Sequence, residues 1–141
     1  MSIFYSAAKI IKISALFAFS VVLYSCQTSD PRITSFSVGS DRSISELMPA
    51  IAKLSARCWT SRGKSLSGFR TSSELNSLSG QPRVLIVPKR KVQGLPSLVV
   101  MGTQTGSGTN LSVFGPLLSS STFSRRITTD IKEWAKGGKD C

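Results

Sequence analysis

The amino-acid sequence predicts an α+β fold, a two-layer sandwich with an N-terminal helix, a three- or four-stranded antiparallel sheet and a C-terminal helix. Apolar residues recur at three- to four-residue spacing in two separated segments, 44–58 and 123–134. Between them lie β-branched runs bounded by Pro and Gly. A chain of this size buries enough surface for one core, and a sheet with both helices on one face is the natural two-layer solution. No internal repeat and no second domain is visible, so residues 43–141 read as one small domain.

Each element has a local reason. Ser43-Ile44-Ser45-Glu46 has the Ser-x-x-Glu form of a capping box. Ile44, Leu47, Ile51, Leu54 and Cys58 then fall on one helical face. Pro49 lacks an amide hydrogen and is costly beyond a first turn, so the helix is expected from Ser45, ending near Trp59. Leu66–Thr71 and Arg83–Val87 read as strands, the second a β-branched run between Pro82 and Pro88. Leu95–Thr105 and Asn110–Leu118 flank Gly106-Ser107-Gly108, a turn that closes a hairpin. Phe123, Ile127, Ile131 and Trp134 share one face of a last helix, Thr122–Ala135, which Gly137 and Gly138 terminate.

The chain before the domain follows other rules. Lys9 and Lys12 make the leading segment positive, and the twelve residues Ile13–Tyr24 are apolar or small. A transmembrane helix needs about 20 apolar residues, and Lys12 stops this run from extending backward. Residues 1–25 therefore read as a signal peptide. Its end, Leu23-Tyr24-Ser25-Cys26, resembles the lipobox of bacterial lipoproteins: an aliphatic residue, two further positions of which the second is small, then cysteine. Tyr24 stands where that family usually has a small or β-branched residue. The resemblance implies that Cys26 is alkylated by a diacylglyceryl group, that the signal is cut before it, and that the new amino terminus is acylated. Two or more acyl chains hold a protein stably, at about 0.8 kcal/mol per buried CH₂. Gln27 occupies the place where Asp retains many such proteins in the inner membrane, so the resemblance favours the periplasmic face of the outer membrane. The alternative is an ordinary signal peptide beside a free or disulfide-bonded cysteine.

With Cys26 lipidated, Cys58 and Cys141 remain as a pair in an oxidising compartment. A bond between them would join the C-terminal ends of the two helices and staple down the chain beyond Gly138. Closing so long a loop is worth about 4 kcal/mol in the chain-entropy account. The rival reading is two reactive thiols, without a CxxC pair or an activating histidine to support it. Residues 26–42 read as a tether rich in Ser and Thr, with Pro31 and Gly39 as breakers and a reach of about 20–25 Å. Ile33, Phe36 and Val38 alternatively make a short edge strand that docks on the domain.

The sequence points away from catalysis. It contains no histidine, which removes Ser-His-Asp triads, Cys-His pairs and the common zinc sites. Asp130 and Glu133 read as a solvated flank of the last helix with Lys136 as a partner. The Gly102, Gly106 and Gly108 cluster lacks the Gly-Lys-Ser/Thr ending of a phosphate loop. No catalytic, metal-binding or cofactor-binding residue is expected, and no cofactor.

Charge is the informative surface property. Lys9 and Lys12 account for two of the 18 basic residues, so the chain from Cys26 keeps 16 against 7 acids, a balance of +9. Lys89, Arg90 and Lys91 form a run between two strands. Arg125 and Arg126 lie early in the last helix, where positive charge opposes the dipole. These five are the candidate site for an anionic surface, against the simpler reading of solvated charges that keep the VLIV run soluble. Nucleic acid is not expected as a partner of an exported, lipid-anchored domain. An anionic envelope component or an envelope protein is. Two functions stand: a non-enzymatic binding or scaffold module of the cell envelope, and a small hydrolase or cell-wall-modifying enzyme with a Ser/Lys-type site.

Overall fold

The computed structural model describes residues 34–76, 80–90 and 94–141. Residues 1–25, expected as a signal peptide, and Cys26 and Lys91 lie outside the described residues. The domain is α+β, as expected, but its sheet has five antiparallel strands instead of three or four, in the order β1-β5-β4-β3-β2. They are β1 Ser35–Ser40, β2 Phe69–Glu74, β3 Arg83–Pro88, β4 Leu98–Thr105 and β5 Gly108–Phe114.

The additional strand is β1, the edge strand that Phe36 and Val38 offered as the alternative to a tether. Phe36 and Val38 alternate with exposed Ser35, Ser37 and Gly39, and they pair with Val113 and Leu111 of β5. One side of this short strand therefore supplies core, while its outer edge pairs with no other strand among the described residues. Strand β2 starts later than expected because Leu66 is buried in a turn, its amide bonded to the Trp59 carbonyl at 3.0 Å. Strand β4 likewise starts after Pro96, leaving Leu95 outside it. The β4–β5 loop is the two residues Gly106-Ser107, because Thr105 pairs with Gly108. A side chain at Gly108 would collide with the Ser40 carbonyl, so β5 can approach the end of β1 only with glycine there.

Helix α1 is Ile44–Ser55 and helix α2 is Ser121–Ala135. The capping box does not form: Ser43 makes no side-chain cap, and its hydroxyl lies 3.2 Å from that of Ser45. Pro49 is accommodated within the helix. The carbonyl it fails to bond belongs to exposed Ser45, while neighbouring Leu47 and Met48 anchor the same stretch in the core. Past Ser55 the helix widens into a π-turn, Ala56–Thr60. Cys58, Trp59 and Thr60 are buried in succession within it.

The core lies between the helices and one face of the sheet. Leu47, Met48, Ile51 and Leu54 of α1 and Ile127, Ile131 and Trp134 of α2 meet Val84, Ile86, Leu98, Val100, Leu111 and Val113. Each such burial contributes about 1.5–3 kcal/mol. Trp59 and Trp134 stack with ring centroids 4.9 Å apart.

Cys58 and Cys141 form a disulfide, with Cα atoms 5.2 Å apart and a sequence separation of 83. It does not simply join two helix ends. Cys58 sits in the π-turn, whereas Cys141 ends a tail that folds back after α2. Gly137, at φ 98°, makes that reversal, and the Trp134 indole N–H then bonds the Asp140 carbonyl at 3.0 Å. The Arg57 guanidinium bonds the Lys139 carbonyl beside it.

Candidate functional site

Antiparallel pairing brings the start of β1, the end of β5, the start of β4, the end of β3 and the start of β2 to one end of the sheet. Backbone hydrogen bonds continue across that end beyond the strands. Gly115 N–H bonds the Thr34 carbonyl at 3.3 Å, Leu117 N–H bonds Ser97 at 3.0 Å, Ser97 N–H bonds Ile86 at 2.8 Å, and Lys89 N–H bonds Gly68 at 3.0 Å. The result is a firm platform, and the basic residues sit on it.

Lys89 and Arg90 are exposed on the turn that leaves β3. The Lys89 amine donates to the Ser67 carbonyl at 2.7 Å, which fixes the stem while leaving the residue exposed. The other pair belongs to α2, which starts from the same end because the short 3₁₀ turn before it is held by the Leu117–Ser97 bond. Arg125 is exposed, whereas Arg126 lies 3.5 Å from the Asp130 carboxylate in an ion pair one helical turn on. Thr122, Arg125, Arg126, Thr129, Asp130 and Cys141 line a shallow depression of about 390 Å³.

Asp130 differs from the solvated residue the sequence suggested. Its side chain is only 13% exposed, and it accepts a 2.7 Å hydrogen bond from the Trp59 indole. Glu133 does pair with Lys136, at 3.5 Å on the surface. The Arg126–Asp130 spacing was visible in sequence, but Trp59 is 71 residues away and no local pattern marks it as a partner.

Compared with known protein families, curated proteins and solved structures, the chain matches none. The site must therefore be read from its own chemistry. Among the described residues no group of three or more His, Cys, Asp or Glu is placed to hold a metal ion. No described helix is long and apolar enough to cross a membrane. What the arrangement offers is a rigid platform carrying exposed cations, with a second basic strip on α2.

Proposed function

We propose that this chain is a lipid-anchored cell-envelope protein, held by Cys26 at the periplasmic face of the outer membrane. Its small basic domain is a non-enzymatic binding or scaffold module for an anionic envelope component or an envelope protein. The observation that carries this reading is the Cys58–Cys141 disulfide. It fits an oxidising compartment and leaves Cys26, at the end of an apolar signal-like segment, as the odd cysteine. Lys89, Arg90 and Arg125, exposed at an end of the sheet held by backbone hydrogen bonds, support the binding role because exposed cations attract an anionic partner. Cys26→Ser is expected to abolish membrane attachment and incorporation of labelled fatty acid. A variant that fractionates with membranes at wild-type level and size overturns the reading.

A further inference from the structure

We infer that the end of the sheet where β1 begins is a membrane-contacting face, with Leu95 as its inserted side chain and Lys89 and Arg90 as its headgroup contacts. The inference rests on Cys26 carrying lipid and adds an orientation to that reading.

The length of the connection argues first. Because Ser35–Ser40 is strand, only eight residue steps separate Cys26 from Thr34. Fully extended they span at most about 28 Å, and a flexible chain of that length reaches about 16 Å. The sheet strands run six to eight residues, so its opposite end lies about 20–25 Å further away. A lipid at Cys26 therefore holds the β1-start end against the bilayer. Turning the far end to it would demand nearly the whole contour length merely to pass along the domain.

Surface chemistry argues second, and independently. Leu95 and Phe114, 90% and 40% exposed, are the large hydrophobics left open among the described residues. Both lie at this end. Phe114 pairs with Ser35, beside the entering chain, and Gly115 is bonded to Thr34. Leu95 stands two residues before Ser97, which bonds both Ile86 and Leu117. Lys89 and Arg90 leave the same strand end. Among the described residues of the opposite end, the exposed ones include Asp41, Glu74, Gln104, Thr105, Gly106 and Ser107, and Arg83 there is paired with Glu74. An apolar tip beside basic side chains is the pattern by which proteins seat in the interface of an anionic bilayer.

The test uses the mature lipidated chain reconstituted in vesicles of phosphatidylethanolamine and phosphatidylglycerol. Leu95→Cys provides a single free thiol, since Cys26 is acylated and the other two cysteines are paired; Thr105→Cys does the same at the far end. Each is labelled with an environment-sensitive fluorophore. The label at position 95 should shift to the blue and be quenched by lipid-borne quenchers, while the label at position 105 stays open to aqueous iodide. Aqueous behaviour at both positions, in protein that floats with the vesicles, overturns the orientation and leaves the anchor standing. Protein that does not float overturns the anchor, and the orientation with it.

Discussion

The end of the sheet at the β4–β5 hairpin closes on itself, whereas the end where β1 begins presents side chains to its surroundings. At the hairpin end, the Ser40 hydroxyl donates to the Ala135 carbonyl at 2.6 Å, tying β1 to the last turn of α2. The Thr109 hydroxyl donates to Arg42 at 2.8 Å, and Gln104 accepts the Ile44 amide at 3.3 Å at the start of α1. Polar groups here are spent on the fold. At the other end the backbone is equally well bonded, yet Lys89, Arg90 and Leu95 point outward from it. Stability and presentation have been separated between the two ends, and the difference makes them separately breakable.

The largest effect is expected at the disulfide, which ties the tail to the π-turn. Reduction should destabilise the domain by about 4 kcal/mol, the loop-closure entropy of so long a ring. That corresponds to a Tm fall of about 15–30 °C for a domain this small. Calorimetry with and without reductant measures it, and thiol titration of the unreduced, denatured domain should find Cys58 and Cys141 blocked. A fall of only a few degrees would mean that the hairpin end secures α2 by itself.

Next comes Gly108→Ala, which attacks the closed end directly. The added methyl meets the Ser40 carbonyl and the Asp41 backbone, neither of which can swing aside. A loss of about 3 kcal/mol is expected, as for overpacking against fixed atoms. Denaturant titration should show it as a lower midpoint at unchanged slope. Unchanged stability would show that β1 can slide away from β5, and the two ends would then differ less than their hydrogen bonds indicate.

Asp130→Ala should have a smaller effect. It removes the acceptor of the buried Trp59 indole and the partner of Arg126 together. An unsatisfied buried donor costs about 1–3 kcal/mol, and the half-exposed ion pair adds little. The same titration reads the loss, and the Trp59–Trp134 pair supplies a fluorescence signal for any change in packing.

These contrasts also separate what was legible in the sequence from what was not. The faces of both helices and the runs behind β3, β4 and β5 were legible because burial writes a local period. The capping box was legible and wrong: Ser43 and Ser45 turn toward one another instead of to the helix amides. Strand β1 left only Phe36 and Val38 as a signal among serines, since an edge strand buries one side and pairs with residues some 75 positions away. The π-turn was not legible, because the residues buried in it meet partners far along the chain, as Cys58 does with Cys141. Of the candidate site, the basic residues were plain in the sequence. Their shared end was not, because it depends on strand order.

The smallest effect on stability, and the sharpest test of presentation, is expected from removing the cations. Replacing Lys89, Arg90 and Lys91 by Gln should move Tm by no more than about 2–3 °C. Lys89 and Arg90 are exposed, and the one bond lost, from the Lys89 amine to Ser67, is at the surface. Replacing Arg125 and Arg126 instead should cost slightly more, because Arg126 is paired with Asp130. Binding should rank the two variants the other way. Each basic residue near an anionic surface contributes about 1 kcal/mol, so the turn variant should lose about 100-fold in partition onto anionic vesicles. Added salt should erase that difference, since the Debye length is only about 8 Å at physiological ionic strength. Sedimentation with anionic and neutral vesicles decides the matter. If the helix variant loses more binding than the turn variant, the anionic partner engages α2, and the outward end of the sheet has been assigned the wrong role.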